Sequence, residues 1–164
     1  MSIVSDLQSL ARRRVFVLGL GVLLTVSFSS MRLAAQAPRT IVIVASDDMK
    51  YDKTTIDAKP GETIKIQLTP KGAMPKVAMS HNVVVLKLGT DATAFVNAGA
   101  TARATDYIAD AQKAHVIAHT PLAGNGETVE ATFKVPAAAG SYPYVCTFPG
   151  HFVAGMKGTL VVKK

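Results

Sequence analysis

The chain is poor in cysteine and in charge, and each scarcity narrows its chemistry. Of 164 residues only Cys146 is a cysteine, so there is no internal disulfide framework and no CxxC redox or zinc pair. Charged residues make up 18% of the chain, well short of a disordered composition, while nearly half the residues are apolar. No GxGxxG or GxxxxGK[ST] loop is present, which removes the usual supports for nucleotide chemistry. Internal repeats and low-complexity linkers are also missing. The length suits one domain with a real core.

The net charge of +7 overstates the basic character of that domain. Arg12, Arg13, Arg14 and Arg32 fall in the first 35 residues with only Asp6 against them, leaving 14 basic and 10 acidic residues beyond. The lysines are scattered from Lys50 to Lys164, with no basic run to track a phosphate backbone, so nucleic acid is not an expected partner. Arg12–Arg14 followed by the apolar stretch 15–28 reads as an export signal, and residues 1–35 are assigned to a signal peptide or N-terminal membrane anchor. Uncharged sequence from Val15 to Met31 would reach roughly 26 Å as helix, slightly less than a ~30 Å hydrocarbon core. Cleavage near Gln36 is therefore favoured over a membrane tether through 15–31. Arg13-Arg14-Val15 also resembles a twin-arginine signal. An exported, periplasmic location follows, and in it a lone thiol needs something to occupy it.

Residues 38–164 read as one all-β domain. Short runs rich in β-branched residues recur at 41–46, 63–69, 82–88, 115–120, 128–135, 142–148 and 158–163, which predicts seven or eight strands in a sandwich or barrel. In Thr63–Leu68 the alternation places Ile64, Ile66 and Leu68 on the inner face. Turns are marked by Lys59-Pro60-Gly61-Glu62, Gly124-Asn125-Gly126 and Ala139-Gly140-Ser141. The Ala-rich stretch 91–111 lacks alternation and is expected to form a short helical flap between strands.

The chemistry concentrates in Cys146-Thr147-Phe148-Pro149-Gly150-His151-Phe152-Val153-Ala154-Gly155-Met156. A thiol, an imidazole and a thioether follow one another in one turn, and each is a soft or borderline metal ligand. Two imidazoles, a thiolate and a weak axial methionine form the donor set of electron-transfer copper. The second imidazole must come from elsewhere, and His81, at the start of a β-run, is the candidate; His115 and His119, in another run, are the alternatives.

Several segments together carry a family likeness: Asp48-Met49-Lys50-Tyr51, Met74-Pro75-Lys76, Met79-Ser80-His81-Asn82, Val116-Ile117-Ala118-His119-Thr120, Tyr144 to His151, and Met156 to Leu160. Over nearly all of 40–164 the sequence resembles the cupredoxins, in particular azurins and auracyanins. The resemblance implies a Greek-key β-sandwich or barrel and one Cu(I)/Cu(II) ion per chain. His81, Cys146 and His151 would be the close ligands, Met156 the axial one, and the Ser80 backbone carbonyl a weak fifth donor. Asn82 would tie the ligand loops together and Phe148 would pack beside the metal. Four residues separate His151 from Met156, as in auracyanins, where azurins have three. The azurin disulfide is absent, Val83 stands where azurins carry tryptophan, and Pro70 and Lys71 occupy the region of a pH-responsive histidine.

The expected function is single-electron transfer without substrate turnover, and the protein is not expected to be an enzyme. A Cys-His hydrolase would need an orienting carboxylate and an oxyanion device that the sequence does not supply. Copper delivery in the periplasm, the alternative reading, would favour open Met- and His-rich surfaces. The resemblance implies redox partners such as c-type cytochromes or membrane electron-transfer complexes, with the chain itself a monomer. Electrons are expected to pass through the outer edge of the His151 ring, inside an apolar patch of Met74, Pro149, Phe152 and Val153.

Overall fold

Apolar alternation decides which edge of each strand turns inward, and two sheets close on the faces so defined. The computed structural model of the chain describes residues 37–164. The expected leader, with its apolar run at 15–31, lies outside the described residues. In β1 (Arg39–Ser46) Ile41, Ile43 and Ala45 are buried, and in β4 (Thr63–Lys71) Ile64, Ile66, Leu68 and Pro70 are buried. These two strands run parallel, pairing Ile41 with Ile66 and Ile43 with Leu68. Flanked by β2 (Lys50–Tyr51) and β7 (Val129–Lys134), they form a sheet of order β2-β1-β4-β7. The second sheet has the order β3-β9-β8-β5-β6, with β3 (Thr55–Ala58), β5 (Val84–Leu86), β6 (Val116–His119), β8 (Gly140–Val145) and β9 (Lys157–Val162).

The architecture is thus a two-sheet, mostly β sandwich with few short helices, nine strands among the described residues where the sequence pattern predicts seven or eight. The two unpredicted strands are β2 and β3, of two and four residues. They are too short to show a period, and they exist because long-range pairing with β1 and β9 satisfies their backbones. The expected strand 142–148 ends at Val145, so Cys146 is the first residue beyond it. The expected strand at 82–88 shrinks to 84–86, which leaves His81 and Asn82 in the approach to β5.

β5 explains why Val83–Leu86 is a continuous apolar run. Val83 and Val85 join the core between the sheets, whereas Val84 and Leu86 face the other way and pack with Phe95, Val96 and Ile108. Those last residues belong to the flap, which contains α1 (Ala92–Gly99) and two 3₁₀ turns at Arg103–Thr105 and Asp110–His115. α1 starts where the Asp91 carboxylate accepts hydrogen bonds from the Thr93 and Ala94 amides at 2.9 and 3.1 Å. Gly99 is required by close approach, since a Cβ there would sit 1.9 Å from the Tyr107 carbonyl oxygen. The flap is a second layer over β5, anchored chiefly by Phe95, which is 1% exposed.

Phe95→Ala removes that anchor and should cost about 3 kcal/mol in urea-induced unfolding. A loss below about 1 kcal/mol would mean that the flap contributes little to stability.

Candidate metal centre

At one end of the sandwich β1, β4, β6 and β8 finish and β2, β5, β7 and β9 begin. The loops there carry every expected ligand. His81 is held by a mutual pair of backbone hydrogen bonds with Ala123, 2.9 Å from its own N–H and 2.8 Å to its carbonyl. The loop from Cys146 to Met156 is closed on itself: Cys146 N–H donates to the Met156 carbonyl at 3.1 Å and Met156 N–H to the His151 carbonyl at 2.9 Å. His151 N–H donates in turn to the Phe148 carbonyl at 3.1 Å. So tight a path needs left-handed backbone at Gly150 (φ 85°) and Gly155 (φ 97°), where a side chain would add strain. Backbone bonds therefore place both the thiol and the thioether before any ion is considered.

The donor atoms converge. His81, Cys146 and His151 each offer one ligand atom, and these atoms all lie within 4.8 Å of one another. Cys146 Sγ is 3.5 Å from His151 Nδ1, and Met156 Sδ is 3.2 Å from His81 Nδ1. The two imidazoles stand with ring centroids 4.8 Å apart, tilted by 40°. Donors about 2.0–2.3 Å from a shared ion sit on the order of 3.5 Å from each other, so the arrangement fits one transition metal. Its sulfur and imidazole character fits copper. All four side chains are buried: Cys146 and Met156 at 0%, His81 at 1% and His151 at 2% exposed. His115 and His119 are exposed and elsewhere, the latter at the end of β6.

Asn82 ties the two ligand segments together. Its Oδ1 accepts from the Thr147 amide at 2.9 Å, and its Nδ2 donates to the Thr147 hydroxyl at 2.8 Å. The neighbours of His81 and Cys146 are thereby latched side chain to backbone and side chain to side chain. The Thr147 hydroxyl in turn donates a hydrogen bond to the Asp106 carbonyl at 2.6 Å, which brings the flap into the same network. Asp106 and Tyr107 both adopt left-handed backbone, with φ of 52° and 59°. Tyr107 meets Phe148 edge-on at 5.6 Å, and Phe148 lies 4.8 Å from the His151 ring. On the other side the Thr120 hydroxyl accepts from Val83 N–H at 3.0 Å, and the Tyr51 hydroxyl donates to the Asn82 carbonyl. Sequence reasoning singled out Asn82 and Phe148 but missed Thr147, Thr120, Tyr51 and Asp106. Thr147 was the one with a visible signal, because it adjoins the cysteine.

Phe152 differs from expectation. It is buried among Val84, Leu86, Phe95 and Val145 and so stands outside the surface patch, because the loop turns its ring back onto the flap core. The His151 ring edge, expected at the surface, is covered as well. Met74 and Val153 do face solvent, at 45% and 85% exposure, and Pro149 is exposed beside them.

Burial sets the protonation of the metal-free site. The Cys146 thiol is pushed up to about 11 by desolvation, opposed by hydrogen bonds from the Asn82 and Phe148 amides and the Tyr51 hydroxyl. His151 is lowered to about 4, by burial first and by the neighbouring His81 second. His81 is lowered by burial, with the Asp47 carboxylate pulling the other way. At neutral pH the rings are already neutral and only the thiol carries a proton that a metal must displace.

Copper binding at pH 7 should therefore release about one proton, and apparent affinity should climb up to tenfold per pH unit through the neutral range. Below about pH 4, where the metal-free His151 ring takes up a proton, that proton too must be displaced and the affinity should fall more steeply. Titration calorimetry in buffers of different ionisation heat measures the count; release of two or more protons at pH 7 would contradict this electrostatic picture.

Comparison with known proteins agrees with the geometry. The family model for copper binding proteins, plastocyanin/azurin family, matches residues 39–163. Auracyanin-A of Chloroflexus aurantiacus is 37% identical over 131 residues, covering 79% of this chain and 77% of the relative. Azurin of Bordetella pertussis is 37% identical over 147 residues, 88% of this chain and 95% of its own. The solved structure of auracyanin A, a "blue" copper protein, superposes with a TM-score of 0.68 at 39% identity, covering 77% of this chain and 100% of its own. With its four buried donors gathered as a type 1 copper site, the chain belongs to the plastocyanin/azurin family of copper-binding proteins and to the azurin- and auracyanin-like electron carriers within it.

Proposed function

We propose that the protein carries single electrons between redox partners, with His81, Cys146 and His151 as close copper ligands, Met156 axial, and the Ser80 carbonyl approaching as a weak fifth donor. The observation that carries this reading is the complete burial of a preassembled donor set whose backbone is hydrogen-bonded at both ends of the loop. Bound copper supplies a one-electron couple. The chain supplies rigidity: Asn82 and Thr147 hold His81 and Cys146 at fixed separation, so the same donors serve both oxidation states with little rearrangement. Phe148, Tyr107 and the flap keep water from His151. A delivery protein would expose its donors for exchange, and this burial argues for retention.

The finer assignments extend the same reading. Electrons enter and leave at the His151 end, where Met74, Pro149 and Val153 offer an uncharged surface to a partner. Small, weakly held interfaces suit such encounters, and c-type cytochromes or membrane electron-transfer complexes are the partner class. The chain works as an exported monomer whose leader is removed near Gln36. No helix of the described residues is long and apolar enough to cross a membrane; a tether through residues 15–31 is the alternative to cleavage.

Copper-loaded protein should absorb intensely in the red, and Cys146→Ser should abolish the band. Met156→Leu should keep the copper and the colour while raising the reduction potential; loss of copper would show that Met156 anchors the ion. Val153→Glu should leave the spectrum intact yet slow electron self-exchange severalfold, by placing charge on a surface that two copies bring together. Intact mass of the membrane and periplasmic fractions reads the leader: a mature species beginning near Gln36 is expected, and one retaining residues 15–31 would make the protein a tethered carrier.

A further inference from the structure

We propose that the copper end of this protein is built to receive a redox partner with an acidic surface, through a rim of three lysines, Lys50, Lys71 and Lys157. The proposal rests on the reading that electrons pass through the His151 loop, and it adds the charge of the partner. The loop itself, Pro149 to Gly155, has no ionisable group besides the buried His151. Its neighbours are cationic and fixed in place. Lys50 Nζ donates to the Ala154 carbonyl, and Lys157 Nζ lies 4.9 Å over the Phe152 ring, so both charges are held against the ligand loop by uncharged groups. Lys50 and Lys71 are both register partners of Ser46, one on each neighbouring strand, which sets them roughly 10 Å apart along the same outward face.

None of the three lysines has a salt bridge among the described residues, a state they share with Lys59, Lys87, Lys134 and Lys164 and not with Lys53, Lys65, Lys76, Lys113 and Lys163. The carboxylates nearby leave the imbalance in place. Asp47 turns onto the Ala73 and Met74 amides, at 2.7 and 3.2 Å, and serves to shape the Met74 loop. Asp47 and Asp48, the latter exposed in the same turn, together offset two of the three cations. The rim keeps a net positive charge around an apolar tip, and charge of that kind raises encounter rates with partners of opposite sign and lowers them between like copies. Because the Lys50 and Lys157 side chains are already anchored, ordering them on binding costs less entropy than ordering free lysines. The complementary occupant is a protein with carboxylates around the edge of its own one-electron centre. One electron crosses per encounter, the partner's centre changing oxidation state by one as the copper changes by one in the opposite sense, with no proton transferred.

The test uses the full copper-loaded chain at low ionic strength, with hexacyanoferrate(II) as anionic reductant and hexaammineruthenium(II) as cationic reductant. The triple variant Lys50→Gln, Lys71→Gln, Lys157→Gln should react roughly three- to tenfold more slowly with the anion and faster with the cation. The difference should vanish near 1 M salt, where the screening length falls to about 3 Å. Self-exchange of the triple variant should rise, since two like-charged faces no longer repel. Lys71→Gln alone, which leaves the loop anchors intact, should move the anion-to-cation ratio in the same direction and guards against a distorted loop. An unchanged ratio in the triple variant, with Val153→Glu still slowing self-exchange, overturns the lysine rim and leaves the exit route standing. Unchanged self-exchange in Val153→Glu overturns both.

Discussion

The hydrogen-bonded latch between Asn82 and Thr147 is the interaction on which the rest of the site depends. It joins two segments 65 residues apart in sequence, and each bonded residue is the immediate neighbour of a ligand. Without it His81 would ride on the approach to β5 and Cys146 on the end of β8, related only through the pairing of Val84 with Val145. The latch turns that pairing into a fixed distance between imidazole and thiol. It also takes up the Thr147 N–H, which a β5–β8 ladder continued as far as Asn82 and Thr147 would need.

Polar atoms in so dry a place have to be satisfied, and the network achieves this. No buried side-chain nitrogen or oxygen among the described residues lacks a hydrogen-bond partner. Thr120 receives Val83, Tyr51 reaches the Asn82 carbonyl, and Thr147 reaches Asp106. Burial raises the thiol and lowers the imidazoles, so the site in its metal-free form is neutral and its donor atoms are spared for an ion. The cost falls on the backbone, where Asp106 and Tyr107 take left-handed conformations of a kind worth on the order of 1–3 kcal/mol each. That strain sits where the flap meets the ligand loop, and it sets Tyr107 on Phe148 and so Phe148 on His151.

The surface follows from the interior. Since the ligand loop must fold tightly to bring His151 and Met156 back to Cys146, its apolar residues divide. Phe152 is drawn under the flap, while Val153 is left at the tip. The loop itself carries no charge, and cations stand at the ends of strands β2, β4 and β9, as Lys50, Lys71 and Lys157.

The sequence alone determined the β class, the inner faces of the long strands and three of the donors, Cys146, His151 and Met156. These properties depend on local pattern: alternation with period two in Thr63–Leu68, and soft ligands clustered within one turn from Cys146 to Met156. The helical flap was legible for the same reason, as a stretch of lost alternation. Tertiary structure decided what depends on residues distant in the chain. It chose His81 over His115 and His119, because His81 is buried against the Cys146 loop whereas the other two are exposed, His119 even though it ends β6 opposite Val84. It created β2 and β3 from segments too short to show a period. It recruited Thr147, Thr120, Tyr51 and Asp106, whose hydroxyls and carbonyls look ordinary in a linear string and gain meaning only from the partner that burial forces on them. It also hid Phe152 and left Val153 bare, since two adjacent apolar residues in a loop carry no sequence mark of which will find a core to enter.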